Sequence, residues 1–253
     1  MLMMTITIDN THTLTKDRIW YHTLHLHKGL NILFGGNGAG KTSTFKIIQS
    51  RVNEKWSKLK ELPKGSVEIE VDGQPFRRLV YSFSNTDNNP MRKDNDNIWD
   101  LGAYGLTRKM QGFNWSEGMN VSVAVHDFLY ALEHVFEEDT LVLVDEIDSG
   151  LDAHSCNIVM KSRCKFMKKK PNIYVLLAFN QYEMARAYAK ANPKDANWIN
   201  IYTGETEPIP TTYEAYFEEL KKYKKEHRRI GDELAWGESE AKYHRNQRKI
   251  GNE

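Results

Sequence analysis

The chain has 253 residues, 40% of them hydrophobic and 27% charged, with a formal net charge of +1. That supplies a core for one large domain, or one domain plus an appendage. Near-neutrality excludes bulk attraction to nucleic acid or to a membrane surface, so any basic surface must be local. No run of about 18 apolar residues occurs, so no membrane-spanning helix is expected. The start, Met1 to Ile8, lacks the charged region and apolar core of a signal peptide and reads as an edge strand. Cys156 and Cys164 share one predicted helix at a separation that disfavours a disulfide, so a reduced, cytoplasmic compartment is the natural expectation.

Residues 1 to about 34 read as strands, because Thr5, Thr7 and Asp9 alternate with Ile6 and Ile8, and Trp20 to Leu26 alternates again. His22, His25 and His27 invite a metal reading, but no carboxylate or cysteine completes a set, and exposed strand histidines explain them. Leu30 to Phe34 reads as a buried strand. It runs into Gly35-Gly36-Asn37-Gly38-Ala39-Gly40-Lys41-Thr42-Ser43, which fits the phosphate-binding P-loop template. Glycines let the backbone curl so that N–H groups point inward as an anion nest. A helix follows at once, marked by Phe45, Ile48 and Val52 with Ile47 beside them, and its N-terminal end also faces the phosphates. Lys41 would sit on the β- and γ-phosphates and Thr42 would ligate Mg²⁺. The helix ends before Pro63. Val67 to Asp72-Gly73, then Phe76 to Phe83, reads as a hairpin with an Asp-Gly turn.

Residues 84 to 97 are rich in Asn, Asp, Ser and Pro and read as a loop. A helical pattern covers Val121, Val125, Phe128, Leu129, Leu132 and Val135. Leu141 to Val144 is a continuous apolar run, hence a buried parallel strand. It ends at Asp145 and Glu146. In a P-loop protein Mg²⁺ needs a carboxylate at such a strand end. Glu146 can reach the water that attacks the γ-phosphate; the plainer alternative is that both residues cap the next helix. A helix to about Lys169, a strand from Ile173 to Phe179, a helix from Tyr182 to Ala191 and a strand from Trp198 to Tyr202 follow. This alternation predicts a mostly parallel sheet with helices on its faces. Pro208-Ile209-Pro210 breaks the pattern. The highly charged remainder is helix-friendly, with an apolar seam at Tyr213, Phe217 and Leu220 that can extend to Ile230 and Leu234. It reads as a solvated helical tail folded partly onto the domain, with a dimer or partner contact as the alternative.

Taken together these motifs resemble the ABC ATPases. The loop from Gly35 to Thr42 resembles their Walker A, Leu141 to Glu146 their Walker B with its glutamate, and Ser149 to Asp152 their D-loop. The run Asp145 to Asp152 is closer to the SMC and DNA-repair branch than to transporters, where a proline usually follows the glutamate. Ser116-Glu117-Gly118 resembles the Ser-x-Gly core of the family signature, and an ordinary serine helix cap is the plainer alternative. The resemblance implies an α/β P-loop NTPase of ABC type. Its parts would be a mostly parallel sheet, an antiparallel β subdomain, a short helical subdomain and a C-terminal helical tail, divided at residues 1–210 and 211–253. It implies Glu146, Lys41 and Asn180 as catalytic residues. It implies a nucleotide held by Gly35 through Ser43, by Ser116 and Gly118 acting across a dimer, and by Asp152. Thr42 and Asp145 would hold Mg²⁺, with ATP sandwiched in a homodimer.

Two family positions differ. Phe179-Asn180-Gln181 stands where a switch histidine is expected, and Tyr81 to Asn85 where a glutamine is expected. Asn180 can hydrogen-bond a phosphate but cannot titrate, so slow hydrolysis is expected. Trp20 or Tyr21 could face the adenine, although a core strand aromatic is the simpler reading. Lys165 to Lys170 and Lys221 to Arg229 are basic clusters, the second interleaved with glutamates. The combined expectation is a soluble, dimerising ATPase acting as a nucleotide-gated switch in DNA repair, genome maintenance or defence against foreign DNA. It would work with a separate effector or nuclease, DNA being one candidate ligand, and without membrane insertion. The alternatives are a transporter ATPase subunit and an ATP-dependent scaffold of slow turnover.

Overall fold

A computed structural model of the chain describes residues 3–8, 23–52, 67–76, 80–84, 140–149, 151–169, 173–225 and 228–229. Among the described residues there are two sheets, and each follows from a different hydrophobic pattern.

The smaller sheet is antiparallel. It contains β1 (Met3–Ile8), β2 (Thr23–His27), β4 (Val67–Val71) and β5 (Gln74–Pro75) in the order β2-β1-β4-β5. Burial alternates along each long strand, which is the period-2 pattern of a sheet with one covered face. Ile6 lies between Leu24 and Ile69 in register, and all three are buried. The turn after β4 is the expected Asp72-Gly73 pair, with φ of 49° and 75°, as a two-residue hairpin turn requires.

The hairpin itself is shorter than expected. Its return strand is only Gln74–Pro75. Val80–Ser84 leaves to form β6 in the other sheet, parallel to β7. An Asp-Gly turn is a local signal; which partner the following residues pair with is set by packing.

The larger sheet has the order β10-β9-β3-β8-β7-β6. Its strands are β3 (Gly29–Phe34), β6, β7 (Leu141–Asp145), β8 (Tyr174–Ala178), β9 (Asn197–Asn200) and β10 (Thr206–Pro208). The pairs β9·β3, β3·β8, β8·β7 and β7·β6 are parallel, and only β10 runs antiparallel, on β9. Every residue of β7 and β8 is buried, as their continuous apolar sequences require. Pro208, read from sequence as a break, instead ends the edge strand β10, where a missing N–H is tolerated.

The helices are α1 (Lys41–Val52), α2 (Ala153–Lys169), α3 (Tyr182–Ala191) and α4, residues 213–225. α1 packs on β6 and β7 and reaches β4, while α2 packs on α3 and β3. Of the seam expected on α4, Leu220 packs against the core, but Tyr213 and Phe217 are 57% and 46% exposed, and Tyr216 and Tyr223 are buried instead. The aromatic stack beneath the helix sets the phase. The ring of Phe34 lies 3.6 Å from that of Trp198 at an interplanar angle of 2°, and Tyr216 and Tyr223 meet Phe34 edge-on at 5.5 and 5.0 Å. Their hydroxyls also find acceptors, at the Asn180 carbonyl (3.0 Å) and Glu207 Oε2 (3.3 Å). Phenylalanine at 217 offers no hydroxyl to place there.

The predicted elements within residues 85–139, including Ser116 and Gly118, lie outside the described residues, as do Trp20 and Tyr21. Among the described residues no helix is long and apolar enough to cross a membrane.

Candidate nucleotide-binding site

The site forms at the C-terminal edge of the parallel sheet, where strands of this kind open toward ligands. Phe34 ends β3 and is fixed by its stack on Trp198. A Cβ on Gly35 would lie 2.5 Å from Ile201 Cγ2 and 3.0 Å from Ala39 Cβ, so a side chain does not fit. Gly38 and Gly40 have φ of 80° and 94°, in the left-handed region, and the Ala39 N–H closes a turn on the Gly36 carbonyl at 3.1 Å. Gly40 accepts from both the Thr44 N–H and its hydroxyl, each at 2.8 Å, so α1 starts without a linker. The N–H groups of its first turn need partners from outside the helix.

Lys41 is the first residue of α1 and is buried. Its ammonium folds back over the loop, donating to the Gly35 carbonyl at 2.7 Å and the Gly36 carbonyl at 3.3 Å. Burial lowers its pKa, and the charges of Asp145, Asp148 and Glu146 oppose that shift. All three carboxylates therefore stand near the loop.

Asp145 ends β7 with 2% exposure. Neither carboxylate oxygen has a hydrogen-bond partner in full geometry among the described residues. Burial raises its pKa, and the nearby Thr42 hydroxyl offsets part of that effect. Glu146 follows with φ 47°, a conformation costly for a residue with a side chain. The chain then makes two tight turns, Ser149 N–H to the Glu146 carbonyl at 2.9 Å and Leu151 N–H to the Asp148 carbonyl at 3.1 Å. Asp152 caps α2, accepting from the Ser155 N–H at 2.7 Å.

Asp148 is buried inside this turn. Its Oδ2 accepts from the N–H groups of Asn180 (2.7 Å) and Gln181 (2.6 Å), which follow β8. Gln181 answers with its side chain, whose Nε2 donates to the carbonyls of Asp148 (2.8 Å) and Leu151 (3.0 Å). Burial raises the Asp148 pKa, and the two N–H groups oppose it. The register of β8 against β3 pairs Ala178 with Leu33, so Asn180 emerges level with the glycine loop. Asn180 is exposed there.

Thus the glycine loop, Lys41, Thr42, Asp145 and Glu146 come together, with Asn180 on the same sheet edge. Asp152 sits apart, exposed at the start of α2. Asp148 and Gln181 were not singled out from sequence. A buried carboxylate in a polar turn has no periodicity to flag it, and its partners lie more than 30 residues away.

No family model matches the chain. No curated protein matches it either. Among solved structures it is similar to the ATP-binding subunit of an ABC transporter, at 13% identity over 87% of this chain and 100% of that one, with a TM-score of 0.48. It is similar to Stu0660 of Streptococcus thermophilus at 13% identity, over 87% and 80% of the two chains, with a TM-score of 0.47. It is also similar to cbiO1 from Clostridium perfringens, part of the ABC transporter complex cbiONQ, at 14% identity over 85% and 91%, with a TM-score of 0.46.

Proposed function

We propose that this chain is an ABC-type ATPase that binds ATP with Mg²⁺, dimerises around it and hydrolyses it. The observation that carries the reading is Asp145. It is a buried carboxylate at a strand end, beside the Thr42 hydroxyl, the buried Lys41 ammonium and the glycine loop that this lysine closes. A buried carboxylate without a partner is costly, and a cation there offsets the cost. The residues fit Mg²⁺ as a hard ion taking oxygen ligands from Thr42 and Asp145.

In this reading the backbone from Gly35 to Ser43 cradles the phosphates. Lys41 leaves the carbonyls of Gly35 and Gly36 for phosphate oxygens, exchanging neutral acceptors for charged ones. Mg²⁺, when bound, neutralises charge that builds on the phosphates. Glu146 accepts the proton of a water whose oxygen attacks the γ-phosphorus, as the bond to the leaving ADP oxygen breaks. Asn180 hydrogen-bonds the γ-phosphate. Ser116 and Gly118 of a second copy complete the site, so ATP stabilises the dimer and hydrolysis releases it.

We place this ATPase outside the transport branch, as a switch in DNA repair, genome maintenance or defence, acting with a separate effector. The run Asp145 to Asp152, with Ile147 where a proline is usual, supports that placement. A 310 Å³ cavity lined by His154, Asn157, Ile158, Lys161, Arg186 and Lys190 offers a local cationic surface for a phosphate backbone. A slow-turnover scaffold is the second reading, and Asn180 in place of a histidine favours it.

Phosphate release by the wild type and by Glu146→Gln tests the enzyme reading. A loss of about 10²-fold or more is expected in the variant. Glu146→Gln with ATP should also move from monomer to dimer in sedimentation. Equal background rates would discard the catalytic assignment and leave the scaffold. For the nucleic-acid role, hydrolysis with and without DNA at low salt decides; no effect of single or double strands counts against it.

A further inference from the structure

We infer that Asp148 and Gln181 form a clamp that ties the turn after β7 to the segment after β8 and thereby positions Asn180 at the nucleotide. The inference rests on the ATPase reading above. Both are positioning residues.

Four hydrogen bonds run between the two segments, all donated by the segment after β8 and accepted by the turn after β7. Asp148 Oδ2 receives two N–H groups at 2.7 and 2.6 Å. The Gln181 side chain donates two more, to the carbonyls of Asp148 and Leu151 at 2.8 and 3.0 Å. The remaining oxygen of Gln181 takes the Cys156 thiol of α2 at 3.4 Å. Gln181 therefore has its side-chain amide spent on the turn around Asp148 and on α2. Charge-assisted bonds of the kind Asp148 makes are the strong ones.

The consequence falls on Asn180. Its N–H is held by Asp148 and its carbonyl receives the Tyr216 hydroxyl at 3.0 Å. The main chain is thus fixed from two sides while the side chain stays exposed at the sheet edge. Asparagine is short and carries no charge to draw it to a phosphate. Its placement must come from the backbone, and a misplacement of about 1 Å can cost 10²-fold in rate. The clamp also joins Asn180 to the stretch that carries Glu146, because the Ser149 N–H and Asp148 lie in the turn that Glu146 opens.

The experiment uses the full chain. Gln181→Ala should raise amide exchange at residues 180 and 181 in the nucleotide-free protein. It should leave ATP affinity within about twofold and lower kcat by about tenfold, the pattern of lost positioning rather than lost binding. In an Asn180→Ala background, Gln181→Ala should cost nothing further, since residues that act through one another are not additive. Asp148→Asn, which keeps an oxygen for both N–H groups, should recover most of the rate that Asp148→Ala loses. Should Asp148→Ala not fold, the Gln181 series still decides. An unchanged kcat in Gln181→Ala, or losses for Asn180 and Gln181 that multiply, would overturn the clamp. A wild type without hydrolysis overturns this proposal and the ATPase reading together. Normal hydrolysis with an inert Gln181→Ala overturns the clamp alone.

Discussion

Asp72 and Glu146 share a backbone conformation, with φ of 49° and 47°, and are the non-glycine residues with positive φ among the described ones. Their surroundings differ in every other respect. Asp72 is exposed in a hairpin turn of the antiparallel sheet, where its carboxylate accepts the Met3 N–H at 3.0 Å. Aspartate tolerates that turn conformation through its short polar side chain. Glu146 follows the buried end of β7, beside an unpartnered carboxylate and a buried lysine. The antiparallel sheet obeys local rules throughout, and the loop edge of the parallel sheet breaks several at once. Such concentration of costly features marks a functional site.

The largest way to sharpen this contrast is Lys41→Ala. It removes a buried cation that serves the loop and should weaken ATP binding by roughly 10- to 150-fold, the worth of a charge-assisted bond. Titration with a fluorescent nucleotide reads this. Glu70→Ala on the exposed face of the other sheet should leave both affinity and stability unchanged within about 0.5 kcal/mol.

Next comes Gly35→Ala. A Cβ 2.5 Å from Ile201 Cγ2 must push the β9 end or the loop, at about 1–3 kcal/mol in denaturant unfolding. Gly36→Ala, with nothing within 4 Å of the new Cβ, should cost much less.

Asp145→Asn moves stability the other way. Removing a buried, unpartnered charge should raise Tm by about 2–4 °C, equivalent to roughly 1 kcal/mol, while Mg²⁺-dependent nucleotide binding falls. The sign with pH follows from the raised pKa of Asp145. Above that value the wild type bears the full cost of the buried charge. As pH falls through it toward 3.8, the folded protein takes up the proton first and the stability gap to Asp145→Asn closes. A gap that widens on acidification would contradict the burial of this charge.

The smallest effect compares the two positive-φ residues directly. Glu146→Gly should gain about 0.5–1 kcal/mol by relieving the backbone, and Asp72→Asn should change stability by only a few tenths. Chemical denaturation of both variants against the wild type measures the difference.

Much of this was legible in the chain itself. The glycine loop, the apolar run Leu141 to Val144 and the alternating strands of the small sheet are local patterns. Each maps onto one element, so β1, β3, α1, β7, α2, β8 and α3 fall where periodicity puts them. The errors have a common origin in pairing. Val80–Ser84 was assigned to a hairpin and belongs beside β7. The α4 seam was phased on Tyr213 and Phe217, whereas the Phe34–Trp198 stack selects Tyr216 and Tyr223. Pro208 read as a terminator and ends an edge strand instead.

The sequence by itself determined where the glycine loop lies and which carboxylates end the neighbouring strand, because glycine spacing and strand-end acids are properties of short stretches. Only the tertiary structure decided that Asp148 and Gln181 lock two distant turns together, that Asp145 is buried beside Lys41 and Thr42, and that α4 presses two tyrosines onto the strand feeding the loop. Those features depend on which segments meet across the sheet, and hydrogen bonds between residues 32 or 33 positions apart leave no periodic trace in a linear chain.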